Sequence, residues 1–174
     1  MGRLFSFLKS WGLMFIASTV AAMVLYFGLQ LALGSSPILV AVPFLHITQY
    51  HTRFPLPYLL AVSLAFSLTS AAWLVAVAPK TTRFRLVHVA ALPLLSAFLA
   101  GPLCGMIWVY QDMLAGFFPP PSDALRYMLS GARSGFRLAP IVILYSWRLS
   151  LPAYLAGISL LIFMMKRSAP GTTI

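Results

Sequence analysis

The sequence has almost no acidic residues: it contains no glutamate, and Asp112 and Asp123 are its two aspartates. Charged residues make up 8% of the chain, whereas they make up roughly a quarter of an ordinary soluble domain. So few charges cannot cover the surface of a water-soluble globule of 174 residues. A bilayer removes that requirement, because its hydrocarbon core accepts an apolar exterior. The composition therefore predicts an integral membrane protein with a single polytopic membrane domain, residues 1–174.

The chain is equally poor in groups that carry out catalysis or bind metals. Cys104 is the single cysteine, which excludes an internal disulfide and argues against thiol-oxidising chemistry. His46, His51 and His88 show no spacing typical of a metal site. The sequence contains no nucleotide-binding, CxxC, HExxH or G-x-S-x-G motif. The sequence therefore predicts no catalytic residue, cofactor or metal, and it favours a protein that is not an enzyme.

Four apolar stretches are long enough to cross a hydrocarbon core of roughly 30 Å. They cover residues 11–33, 57–78, 86–110 and 138–165. We therefore predict an all-α bundle of four transmembrane helices. The stretch 37–50 is apolar but short, with a proline in the middle, which is typical of a re-entrant or interfacial segment. If it crosses the membrane, the bundle has five spans. The tail 168–174 is predicted to be disordered.

Basic residues outnumber acidic ones by twelve to two. They lie mainly at the ends of apolar runs and not on a solvated face, so we expect no nucleic acid partner. With four spans, the side of the termini holds Arg3, Lys9, Lys80, Arg83, Arg85, Lys166 and Arg167, and the other side holds Arg53, Arg126, Arg133 and Arg137. Short cytoplasmic loops carry an excess of Lys and Arg. This distribution predicts that both termini are cytoplasmic, and we expect a bacterial inner membrane.

The segment 123–136 has the pattern of an amphipathic helix. Its apolar residues recur at helical spacing, and Arg126, Arg133 and Arg137 fall within one narrow stripe. Such a helix is typical of the membrane interface, with its arginines toward the headgroups. It either connects two spans or binds anionic lipid headgroups or an acidic partner. Gly131 and Gly135 are expected to weaken it.

Arg148 is the one charge inside an apolar run, and an ionisable residue within a membrane is a functional candidate because its burial is costly. Its depth depends on where the last helix begins. A start near Leu144 places Arg148 close to the interface, where it can snorkel to water. A start near Leu138 places it roughly 15 Å deep, at 1.5 Å per residue. In that position it would line an anion path or contact a carboxylate of a partner.

Small residues recur at four-residue spacing in three of the spans. They are Ser63 and Ser67 on the second span, Ala97, Gly101 and Gly105 on the third, and Ala153 and Gly157 on the fourth. Small side chains let helices approach closely in lipid. These residues are therefore candidates for helix packing, either within one chain or between the subunits of an oligomer.

These features favour a non-catalytic membrane subunit or scaffold, which assembles with copies of itself or with other membrane proteins in a complex for transport, secretion or defence. One alternative is an oligomeric pore or transport element whose path is lined by arginine. A second is a lipid-modifying membrane enzyme, in which the arginines of the segment 126–137 hold a phosphate and a histidine acts as base. Size and composition alone do not choose among them.

Overall fold

The computed structural model describes residues 2–32, 55–77, 85–117, 123–145 and 147–168. They form helices α1 (Gly2–Ala32), α2 (Leu56–Ala76), α3 (Arg85–Leu114), α4 (Ala124–Tyr145) and α5 (Trp147–Ser168). No strand occurs in these ranges. The predicted all-α membrane bundle is therefore confirmed. The predicted segment 37–50 and residues 169–174 of the predicted tail lie outside the described residues.

Four of these helices are long and apolar enough to cross a membrane. The candidate spans are Leu4–Gly28, Leu56–Ala76, Arg85–Leu114 and Trp147–Lys166, in α1, α2, α3 and α5. Large apolar side chains on their outer faces, such as Ile16, Leu99 and Phe163, are exposed. In water such exposure would be costly, whereas lipid tails accept it. The protein is an integral membrane protein, as its composition predicted.

The helix boundaries differ from the prediction near the C-terminal end. The amphipathic helix expected at 123–136 continues to Tyr145, and the last span begins at Trp147 instead of near residue 138. The apolar run starting at Leu138 is therefore shared between two helices. Composition does not reveal this break, because residues on both sides of it are apolar. Helix α4 continues past residue 136, and Ala139, which is 5% exposed, extends its buried face.

Helices α1, α2 and α3 pack side by side in alternating directions. Along the contact between α2 and α3, residue numbers rise in one helix as they fall in the other. The paired contacts are Tyr58 with Gln111 (Tyr58 hydroxyl to Gln111 Oε1, 2.8 Å), Thr69 with Ser96 (between hydroxyls, 2.6 Å) and Trp73 with His88 (between ring centroids, 5.9 Å). Helix α1 lies on the other side of α2, where the Ser18 hydroxyl donates to the Ser63 carbonyl at 3.5 Å.

A buried apolar cluster joins α1, α2, α3 and α5. It contains Met14, Phe66, Trp73, Val89, Leu92, Leu161 and Met164. Met14 and Leu161 are fully buried in it. In lipid, such a cluster stabilises the bundle by close packing and not by removal of apolar surface from water. It fixes α5 against the first three helices.

Helix α5 contacts the first half of α3. The Tyr154 hydroxyl donates to the Ala90 carbonyl at 3.0 Å. One turn later in both helices, Gly157 lies against Pro93. Helix α4 runs the opposite way to α3, because Gly131 faces Gly105 and Gly135 faces Gly101. Helices α1 and α3 therefore run in one direction, and α2 and α4 in the other.

Candidate functional site

Four glycines bring the backbones of α3 and α4 into direct contact. A Cβ atom added to Gly101 would lie 2.7 Å from the carbonyl oxygen of Gly135. A Cβ added to Gly105, Gly131 or Gly135 would likewise collide with the carbonyl of the facing glycine. This is the close approach that small residues at four-residue spacing allow between helices in lipid. The pair α3–α4 is consequently held by backbone packing, which no larger residue could reproduce.

The glycine contacts place α4 beside the middle of α3. Gly101 and Gly105 lie between His88 and Gln111, the two α3 residues that contact opposite ends of α2. Helix α4 therefore packs at the level of the apolar spans and does not lie across their ends. The prediction put this helix in the interface because of its amphipathic pattern, and it expected Gly131 and Gly135 to weaken the helix. The structure uses both glycines as a packing face.

The arginine stripe lies on the side of α4 that faces away from α3. Arg133 and Arg137 each follow a packing glycine by two residues, which rotates them about 200° around the helix axis. Both side chains are exposed, as is that of Arg126. The apolar side chains Leu125 (71% exposed), Leu129 (59%) and Phe136 (54%) flank the stripe. We call the surface formed by Leu129, Arg133, Phe136 and Arg137 the outer face of α4.

Two of the three arginines lie at mid-span level. When the register of the glycine pairs is continued along α3 and α4, Arg133 lies level with Leu103 and Arg137 lies level with Leu99. These levels are about 12 and 18 Å along α3 from Gln111, at 1.5 Å per residue. Neither guanidinium has a hydrogen-bond or ionic partner among the described residues. Arg126, by contrast, lies level with Tyr110, near the end of α3.

A cavity of about 400 Å³ lies beside the glycine contact and is lined by residues of all five helices. Its lining includes five of the predicted packing residues, namely Ser63, Ala97, Gly101, Ala153 and Gly157. Among the described residues, the lining contains no Asp, Glu, His, Lys or Arg. The Ser63 hydroxyl, which is buried, has no hydrogen-bond partner there. The cavity can therefore accommodate apolar groups, and the polar side chains of its lining are those of serines, tyrosines and Cys104.

The predicted packing residues occupy several different contacts. Gly101 and Gly105 pack on α4, and Gly157 packs on Phe66 and Pro93. Ser67 is fully buried, and its hydroxyl donates to the carbonyl of Leu64 at 3.0 Å. These contacts lie within one chain, although the sequence had also allowed contacts between subunits.

The structure places Arg148 in the first turn of α5. Its side chain is exposed, and its guanidinium carbon lies 5.8 Å from the ring centroid of Trp147. Arg148 therefore lies at the end of the last span, close to the shallower of its two predicted positions. Of the histidines, His88 packs edge-on against the Trp73 ring. It is about 22 Å along α3 from the level of Arg133, so the two cannot share a phosphate.

Gly131 and Gly135 are the important site residues that the sequence analysis missed. They repeat the four-residue spacing of Gly101 and Gly105. Two such glycine pairs in successive helices are a signal for mutual packing. Three arginines surround the second pair, and they indicate a polar helix face that competes with the packing signal.

Comparison with known proteins does not assign a function. No family model, curated protein or solved structure matches this chain. Within the described ranges, no three His, Cys, Asp or Glu residues come together to form a metal site. The outer face of α4 therefore remains the feature with the clearest chemistry, since it combines positive charge with exposed apolar surface at mid-span level.

Proposed function

We propose that this chain is a non-catalytic subunit of a larger membrane complex, and that it assembles through the outer face of α4. The observation that supports this function is the exposure of Arg133 and Arg137 at mid-span level. An arginine facing lipid at a helix centre costs about 2.5–3.5 kcal/mol on insertion-based scales. Contact with another membrane protein removes these side chains from lipid and supplies partners for them.

The proposal makes α4 a fifth crossing helix, although it is less apolar than the other four. Five crossings place the two termini on opposite sides of the membrane. The basic residues before α1 and between α2 and α3 favour a cytoplasmic N-terminus. We therefore assign the C-terminus to the opposite side, in contrast to the placement expected from four spans. A bacterial inner membrane fits the short loops.

The test is native mass spectrometry of the tagged protein in nanodiscs excised from its own membrane. We expect a complex of defined stoichiometry with other membrane proteins. The double substitution Arg133→Gln/Arg137→Gln should increase the fraction of free chain, whereas Arg126→Gln, which changes the same stripe near its end, should not. A strictly monomeric wild-type chain would contradict the proposal.

A second candidate is an oligomeric anion path, because several copies of α4 around one axis would present Arg133 and Arg137 to a common channel. Such a channel selects anions through rings of positive charge. Arg148 lies in the first turn of α5, so it could contribute only at a pore entrance. A homo-oligomer that conducts chloride in planar bilayers, with conductance reduced by Arg137→Gln, would favour this function over that of a subunit.

A further inference from the structure

We infer that the partner at the outer face of α4 is a membrane helix of a different protein, which carries a carboxylate near the middle of its span. The inference rests on the proposed function and specifies the chemistry of the partner.

The depth of Arg137 separates it from lipid headgroups. Arg137 lies level with Leu99 of α3. Along the axis of α3, Leu99 is about 18 Å from Gln111 and about 16 Å from His88, at 1.5 Å per residue. These two residues lie near the ends of the contact with α2, which approximates the thickness of the apolar core. A snorkelling arginine moves its charge toward the nearer interface but cannot span such a distance. A lipid phosphate is therefore a poor partner for Arg137.

A second copy of this chain cannot supply the missing negative charge. Asp112 and Asp123 are the two acidic residues of the sequence, and both lie close to the connection between α3 and α4. Copies inserted in the same membrane have the same orientation, so every copy holds these carboxylates at one end of the bundle. Asp112 is about 13 Å along α3 from the level of Arg133. The carboxylate must therefore come from a different chain.

The surface around the two arginines fits a helix. Arg133 and Arg137 are one turn apart, so a single carboxylate between them can accept hydrogen bonds from both. Leu129 and Phe136, exposed beside them, provide an apolar surface on the same side of α4. A partner helix with one acidic residue in an otherwise apolar face would cover all four side chains. Because guanidinium groups bind carboxylates in a fork geometry, such a pair also fixes the register of the two helices.

The test uses the purified full chain and two synthetic single-span helices of leucine and alanine, one with a central Glu and the other with a central Gln. Association is measured by fluorescence energy transfer in vesicles of phosphatidylcholine. We expect the Glu helix to bind at least about tenfold more tightly than the Gln helix, because desolvated charge pairs couple strongly. The preference should disappear in Arg133→Gln/Arg137→Gln and persist in Arg126→Gln.

Equal binding of the Glu and Gln helices to the wild-type chain would overturn the inference without any variant. It would also be overturned if adding phosphatidylglycerol abolished the preference, because anionic lipid would then occupy the face. These results are separable from failure of the proposed function. A native complex that persists while the Glu preference is absent retains the subunit function and rejects the carboxylate partner.

Discussion

Gly105 of α3 and Gly131 of α4 face each other so closely that neither position can accept a side chain. Each glycine meets the carbonyl group of the other, and the pair Gly101–Gly135 repeats the arrangement one turn away. This contact determines which side of α4 faces the bundle and which side faces outward. The exposure of Arg133 and Arg137 is thus a consequence of glycine packing on the opposite side of the helix.

The first prediction concerns this contact. Gly131→Ala should destabilise the protein, because the added Cβ would collide with the Gly105 carbonyl and the Val109 side chain. Overpacking a tight site costs about 1–3 kcal/mol, which exceeds the gain of up to about 1 kcal/mol from replacing a helical glycine. A lower midpoint of thermal unfolding in detergent is the expected result.

The matched control is Gly12→Ala in α1. A Cβ added to Gly12 has no atom of another residue within 4 Å, so this substitution should leave the unfolding midpoint unchanged or raise it. If both alanine variants were equally stable, the close contact between α3 and α4 would be disproved.

The second prediction concerns membrane topology. Because the proposed topology has five crossings, single cysteines at Ser6 and Thr172, each in a Cys104→Ala background, should be accessible from opposite sides of the membrane. Labelling intact cells and inverted vesicles with a membrane-impermeant maleimide measures this directly. Labelling of both positions from the same side would show that the chain crosses the membrane an even number of times.

The third prediction concerns the buried cluster. Leu161 is fully buried, whereas Leu155 in the same helix is 54% exposed. Leu161→Ala should lower the free energy of unfolding by about 2–3 kcal/mol, near the lower end of the range for buried leucines, since lipid removes much of the hydrophobic term. Leu155→Ala should change it by less than about 0.5 kcal/mol. Similar losses in the two variants, measured by denaturant titration in micelles, would argue against the packing of α5.

The fourth prediction concerns the hydroxyl pair Thr69–Ser96. Thr69→Val keeps the shape of the side chain but removes the 2.6 Å hydrogen bond between α2 and α3. Hydrogen bonds between membrane helices contribute about 0.6 kcal/mol on average. We expect a loss of about that size in the free energy of unfolding. Ser159→Ala is the control, because the Ser159 hydroxyl is exposed and bonds only to the Leu155 carbonyl of its own helix.

Much of this architecture could be predicted from the sequence. Twenty or more consecutive apolar residues have few stable conformations other than a membrane-spanning helix, because lipid leaves backbone groups without partners. The spans containing Ser63 and Gly101 were therefore predictable from composition and length. The small residues at these positions also indicated that the helices pack closely.

The position of α4 was harder to predict because two signals compete within it. Arg126, Arg133 and Arg137 indicate a surface, whereas Gly131 and Gly135 indicate tight packing. Periodicity shows that the helix is amphipathic, but it does not show whether the small-residue face contacts lipid or another helix. Only the partner glycines on α3, which are distant in sequence, resolve the choice. The break between Tyr145 and Trp147 was hidden for a related reason, since apolar residues flank it on both sides.

In the proposed five-span topology, the arginines of α4 also set an order for the biogenesis of the protein. An isolated α4 would carry Arg133 and Arg137 into the bilayer at a combined cost of about 5–7 kcal/mol on insertion-based scales. Helix α3 is made first and presents Gly101 and Gly105 as a docking surface, and α5 follows α4 almost without a connection. Insertion of α4 therefore depends on its neighbours, and a chain truncated before α5 should insert this helix less efficiently than the full chain.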